Sequence, residues 1–179
     1  MWKVVSTEVV YARGDEEIIR ECHRIRKEVF HLEQGFPLDT EYDDVEDVAT
    51  HFLLRVTESD TATGAQTVKA VGTIRVTTPE IYRTLNRYKL SRLAVDRAYR
   101  EHRFGRRLVE HLHDWVRADA RATNRRAEIE CHSQIPVMGF YAKFGYRAEG
   151  PQFDEDGAPH QNMILDLPLT DANSDSTAD

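Results

Sequence analysis

The stretch Leu90 to Leu112 limits the folds open to this chain more than any other. It reads L-S-R-L-A-V-D-R-A-Y-R-E-H-R-F-G-R-R-L-V-E-H-L. Leu90, Leu93, Ala94 and Val95 suit a buried strand. Leu108, Leu112, Trp115 and Val116 then recur at i, i+4, i+7 and i+8, one apolar face of a helix. Between the two, Arg97 to Arg107 holds five arginines and a single glutamate. A turn that opens a helix presents backbone N–H groups without intrahelical partners, at the positive end of the helix dipole. Arginines gathered there make a site for phosphate groups.

The surrounding chain is acidic. Its net charge is -7 over 179 residues, so no general affinity for nucleic acid or an anionic membrane surface is expected. The basic turn therefore points to a discrete anionic ligand rather than a polyanion. Hydrophobic content of 40% and charged content of 31% fit one globular domain, drawn here over residues 1–168. The polar segment 169–179 is expected to be a disordered acidic tail. Two distant cysteines, Cys22 and Cys131, make neither a disulfide framework nor a zinc site. With no signal-peptide pattern at the N-terminus, a cytoplasmic protein is expected.

Periodicity sets the order of elements. A strand over Trp2–Tyr11 precedes a helix with Asp15 as N-cap and an apolar stripe at Ile18, Cys22, Ile25 and Val29, reaching about Leu32. Strands follow at His51–Thr57 and Val68–Thr77, joined by a long loop over 58–67, with a short helix or irregular link over Pro79–Arg87. After the central strand–turn–helix come a strand over Arg126–Ser133 and a helix carrying Val137, Phe140, Tyr141 and Phe144, with Gly145 at its end. Two strands, Tyr146–Phe153 and Gln161–Leu167, close the domain. The result is an α/β (α+β) fold with a mixed sheet.

The turn Arg100-Glu101-His102-Arg103-Phe104-Gly105 resembles the R/Q-x-x-G-x-G/A acetyl-CoA motif of the GNAT superfamily of N-acetyltransferases, with Arg103 in place of the middle glycine. S-R-L-A-V over 91–95 is similar to that family's central strand, and F-Y-A-K-F-G-Y over 140–146 to its F-Y-x-x-x-G-F helix. Arg26, Val29, Phe30, Glu33 and Gln34, with Gly157, Pro159 and His160, match motifs of a small-GNAT branch. The resemblance implies a central, mostly antiparallel twisted sheet of 6–7 strands flanked by about four helices. It implies acetyl-CoA as co-substrate and a small-molecule amine as acceptor, attacked directly in a ternary complex. Pantetheine would lie along Leu93, Ala94 and Val95. The pyrophosphate would meet Arg100, Arg103, Phe104, Gly105, Arg106 and Arg107.

For the chemistry, the resemblance makes Tyr141 the proton donor to the leaving thiolate. Glu130 and His132, at the end of the preceding strand, are candidate bases, with His160 and Glu41 as alternatives; an imidazole titrates near neutral pH. The acidic run 39–47 reads either as a solvated loop or as a rim for a cationic acceptor, which would place Glu33, Glu41, Asp43 and His160 on the acceptor side. The histidines show no metal-ligand spacing, so no metal is expected. Alternatives from the sequence are an amino-sugar phosphate acetyltransferase, a protein or peptide acetyltransferase, and a non-catalytic CoA-binding sensor. A monomer or a homodimer fits equally.

Overall fold

Four strands rich in β-branched residues build the first half of one sheet: β1 (Trp2–Arg13), β2 (Thr50–Asp60), β3 (Gln66–Thr77) and β4 (Tyr88–Val95), each antiparallel to the next. The computed structural model of the chain describes residues 1–83 and 86–169. The expected tail therefore lies, except for Leu169, outside the described residues. The hairpin between β2 and β3 is tighter than the sequence suggests. The strands run on to Asp60 and resume at Gln66, and the Asp60 N–H donates to the Ala65 carbonyl at 2.8 Å.

The second half comprises β5 (Glu128–Gln134), β6 (Arg147–Ala148), β7 (Phe153–Glu155) and β8 (Ala158–Asp166). The sheet order is β1-β2-β3-β4-β5-β8-β6, with β7 also on β8. It has eight strands, not six or seven. The segment expected as a single strand over Tyr146–Phe153 is broken: Gly150, with φ of 70°, and Pro151 interrupt the ladder between β6 and β7. All pairings are antiparallel but one: β4 and β5 run parallel, as a crossover through a helix requires.

That crossover is α3 (Phe104–Ala122). Its stripe of Leu108, Leu112 and Val116 is fully buried against Phe52, Leu54, Ile74 and Leu90 of the sheet. The helix lies close: a Cβ on Gly72 of β3 would stand 3.0 Å from Leu108 Cδ1. On the opposite face, α1 (Glu16–Arg26) packs Cys22 and Ile25 against Leu53 and Ala94. Asp15 caps α1, accepting from the Ile18 N–H at 2.9 Å. Burial of each such Leu or Ile side chain contributes about 1.5–3 kcal/mol, so the two helix faces hold the sheet between them.

Two helical segments differ from expectation. The first helix continues past Arg26 as a π-helical turn over Lys27–Glu33, where the Gln34 N–H reaches the Val29 carbonyl at 3.1 Å. The wider turn carries Phe30 and Gln34 over the C-terminal ends of β4 and β5. Beyond β3, α2 is a single turn, Pro79–Tyr82. α4 (Met138–Ala142) follows a 3₁₀ turn over Ile135–Val137 whose early position suits Pro136. Among the described residues no helix is long and apolar enough to cross a membrane.

Candidate active site

The strands β4 and β5 share only three register pairs, Tyr88–Ile129, Lys89–Glu130 and Leu90–Cys131. Past Leu90 and Cys131 the two strands part. One cause is a bulge in β4: Ala94 and Ser91 pair with Thr73 and Arg75, so Arg92 and Leu93 together face the single residue Ile74. Arg92 takes the left-handed φ of 57° that this demands. The free edge of β4 and the free edge of β5 become the two arms of a fork, with backbone N–H and C=O groups open to a ligand.

A cleft of about 170 Å³ lies in the mouth of this fork. Leu93, Tyr141, His132 and His160, all named from the sequence, line it together, and so does Glu41. α4 brings Tyr141 to the cleft wall, with the ring held edge-on by Phe140 and Tyr146 at centroid distances of 5.2 and 5.6 Å. Among the described residues the Tyr141 hydroxyl has no hydrogen-bond partner. Burial raises its pKa well above the ordinary tyrosine value, so the phenol stays protonated. A protonated hydroxyl without a partner, on the cleft wall, has its proton free to donate.

His132 faces the cleft from β5. Its Nδ1 lies 2.8 Å from Glu155 Oε1, and Glu155 Oε2 is 3.8 Å from Nε2 of His160. Glu155 thus stands between two imidazoles. Burial alone would raise its carboxyl, but the His132 hydrogen bond and the charges of His132, His160 and Lys89 bring it below the ordinary value. An ionised carboxylate on Nδ1 fixes the imidazole's orientation and leaves Nε2 to exchange a proton. Glu155 was not singled out from the sequence, where D-E-D-G falls in an acidic turn between the last two strands.

Glu130 sits elsewhere. It is buried and does not line the cleft; Tyr82 Oη donates to it at 2.6 Å, Arg87 at 3.3 Å, and the Lys89 ammonium lies 3.5 Å away. Burial lowers Lys89 to about 8, against the opposing pull of Glu130. This ion network lies where β4 and β5 are still paired, so Glu130 is engaged within the strand pair and away from the cleft wall.

The acidic run does not form a free rim. Glu46 accepts from Arg26 Nη2 at 2.7 Å and Arg75 Nη1 at 2.8 Å; Asp43 accepts from Arg75 at 2.7 and 2.8 Å; Glu41 is paired with Arg26 Nε. Arg26 is fully buried. Three of the six acids in 39–47 are therefore paired with arginines from α1, β3 and β4, while Asp39, Asp44 and Asp47 make no ion pair among the described residues. Burial would raise Glu46, but hydrogen bonds from His23 and Arg26 and the charges of Arg26 and Arg75 hold it far below the usual range. Glu33 is likewise taken, by Arg100, which grips it at 2.5 and 2.7 Å.

The basic turn keeps the expected place, at the start of α3. Arg103 has φ of 58° and ψ of 24°, the left-handed geometry that glycine adopts without strain. The side chain thus departs from the motif while the backbone does not. Arg103 makes no side-chain hydrogen bond or ion pair among the described residues. The other arginines are more engaged: Arg100 holds Glu33, Arg106 pairs with Glu110 at 2.7 Å, and Arg107 binds the Thr7 hydroxyl and, at 3.2 Å, its carbonyl. Gly105 follows directly, where an added Cβ would meet Phe140 at 3.6 Å. A diphosphate fits the free N–H groups of this helix start and the unpaired Arg103.

Comparison with known proteins agrees with this geometry. A family model described as an acetyltransferase (GNAT) domain matches residues 45–167. The uncharacterized N-acetyltransferase YjcF of Bacillus subtilis (strain 168) is 28% identical over 154 residues, covering 85% of this chain and 95% of its own. Among solved structures, an acyl-CoA N-acyltransferase from Pseudomonas aeruginosa shares the fold with a TM-score of 0.67 at 20% identity, covering 88% of this chain and 98% of its own. Escherichia coli ElaA does so with a TM-score of 0.64 at 19% identity, covering 89% and 99%. With the forked sheet, the helix start at Arg103 and the matched span of 45–167, the chain belongs to the GNAT acetyltransferase family and is an acyl-CoA-dependent acyltransferase.

Proposed function

We propose that this enzyme transfers the acetyl group of acetyl-CoA to the amine of a small-molecule acceptor, by direct attack in a ternary complex, with residues 1–168 as the catalytic domain. The observation that carries the reading is the pair of proton-handling groups on one cleft: the free, protonated Tyr141 hydroxyl and the His132–Glu155 pair.

Acetyl-CoA supplies a thioester, whose carbonyl carbon accepts the amine and whose sulfur leaves. In this reading the chain holds the donor through backbone groups of Leu93–Val95 and through Arg103 and the N–H groups of Phe104, Gly105 and Arg106. A backbone N–H on the free edge of β4 polarises the carbonyl. His132 Nε2 takes the proton that the amine nitrogen loses as the C–N bond forms. Tyr141 Oη donates to the sulfur as the C–S bond breaks. Partial burial raises the thiolate's proton affinity along with the phenol's. Solvent at the open cleft returns the proton to Tyr141 and removes that on His132.

The test is thiol release from acetyl-CoA with a panel of amines, alongside calorimetric titration with acetyl-CoA. Turnover with a small amine is expected. Absence of acetyl-CoA binding would sink the reading. Binding with no turnover on any amine, amino-sugar phosphate or peptide would leave a CoA-binding module in its place.

A further inference from the structure

Arg92 is the least satisfied arginine of the cluster on the acceptor side. Arg26 and Arg75 engage carboxylates through bonds of 2.7 to 2.9 Å. Arg92 reaches the Thr40 carbonyl at 3.1 Å and Asp43 Oδ2 at 3.4 Å, while its Nε stays 3.5 Å from Glu41 and is buried without a hydrogen-bond partner. Its Nη1 makes no hydrogen bond among the described residues, and the side chain is 23% exposed. A guanidinium has five N–H donors; here Nη2 engages Thr40 and Asp43, Nε is buried, and the two donors on Nη1 are open among the described residues.

Its position is as telling as its bonding. Arg92 lies at the β4 bulge, in a left-handed conformation that a long side chain adopts only when the surroundings impose it. There it lines the cleft, and among the described residues it is the one lysine or arginine that does so. Across the fork, His132, Glu155 and Asp156 line the other arm. On the β4 side the cleft thus presents Arg92 beside Glu41, a carboxylate that Arg26 already engages, and on the β5 side carboxylates and imidazoles. Its volume of about 170 Å³ is small beside the 300–1,000 Å³ typical of drug-sized ligands.

We infer that the acceptor is a small amino acid, or another compact amine bearing a carboxylate, and that Arg92 is the residue that takes this carboxylate. The assignment rests on the transferase reading above and narrows its acceptor. A carboxylate matches the planar edge of a guanidinium. The ammonium end then points to His132 and Glu155; it gives its first proton to solvent at the open cleft before attack and its second to His132 as the C–N bond forms. A phosphate dianion would call for more than the single cation this cleft holds, so an amino-sugar phosphate fits less well.

The experiment compares L-amino acids of glycine to methionine size with their carboxamides, their decarboxylated amines and an amino-sugar phosphate, all with saturating acetyl-CoA. For the best acceptor, kcat/KM is expected to exceed that of its carboxamide by about tenfold to a hundredfold, the range of a hydrogen-bonded charge. In Arg92→Gln the acid-to-amide ratio should collapse toward one while the Kd for acetyl-CoA holds within about twofold; Arg92→Lys should keep part of the ratio. Equal turnover of acid and amide by the unaltered enzyme overturns the inference, whether or not Arg92→Gln folds. So does preference for the amino-sugar phosphate, or an unchanged ratio in Arg92→Gln. If no amine turns over, amino-acid binding to the CoA-loaded protein is read by calorimetry. Carboxylate-dependent binding then counts against the transferase reading alone, and no binding of any amino acid counts against both.

Discussion

Nδ1 of His132 and Oε1 of Glu155 stand 2.8 Å apart, though 23 residues and two turns of chain separate them. The contact exists because β8 pairs with both β5 and β7, which sets the end of the β7 hairpin against the β5 arm of the fork. Glu155→Gln should lower kcat about tenfold to a hundredfold, since the amide can hold the imidazole in the wrong tautomer. The Kd for acetyl-CoA should stay the same. Steady-state kinetics with calorimetry checks both; an unchanged kcat would remove Glu155 from the chemistry.

Tyr141→Phe separates catalysis from packing. The hydroxyl has no partner among the described residues, so its loss should shift the denaturation midpoint little, within about 0.5 kcal/mol. The rate should fall by about a hundredfold, the lower range for general acid catalysis. Urea denaturation and single-turnover acetyl transfer measure the two effects. A stability loss as large as the rate loss would mark Tyr141 as a core residue only.

Arg103→Gly addresses the departure from the family motif. A left-handed arginine costs about 1–2 kcal/mol, and glycine in its place forfeits about 0.5–1 kcal/mol of chain entropy. The balance runs from no change to a gain of about 1.5 kcal/mol, raised a few tenths by removing a cation from a helix N-terminus. Acetyl-CoA should nonetheless bind about tenfold more weakly without the unpaired guanidinium. A tighter Kd in the glycine variant would show that this side chain obstructs the diphosphate.

Acid should unfold the protein through Glu46. Its folded-state pKa lies below the ordinary carboxylate value, so the Arg26–Glu46–Arg75 cluster contributes in full above about pH 4.3, and stability falls as pH drops through the depressed value. Glu46→Gln should cost about 3–5 kcal/mol at pH 7, because it leaves Arg26 buried and undercompensated. It should also flatten the acid limb. Denaturant midpoints from pH 3 to 7 for both proteins test this; parallel limbs would mean that other carboxylates govern acid unfolding.

The elements were legible in the sequence wherever one residue type repeats at a fixed period. Leu108, Leu112 and Val116 are fully buried, as their spacing predicts, and the helix start at Arg103 falls where the basic turn put it. Contacts between distant acids and bases were not legible. Glu41, Asp43 and Glu46 look like an acidic surface because charge along a chain carries no sign of which arginine folds against it; their partners are 15 to 49 positions away. Glu155 was hidden for a related reason. A carboxylate in a turn reads as solvated until the hairpin lays it beside His132. Glu130 and His132 share a face of β5 and looked equivalent, but Glu130 is paired before the strands part and His132 after.

The three rungs between β4 and β5 carry a last consequence. Among the described residues they are the only ladder joining two half-sheets, β1–β4 and β5–β8. Mechanically the molecule is two plates riveted along a short seam, with α3 strapped across the back. A donor lodged above the seam would act as added rungs, lengthening the rivet line that the chain itself leaves unfinished. Amide exchange at Tyr88–Leu90 and Ile129–Cys131 should therefore slow when acetyl-CoA binds, although none of those residues lines the cleft.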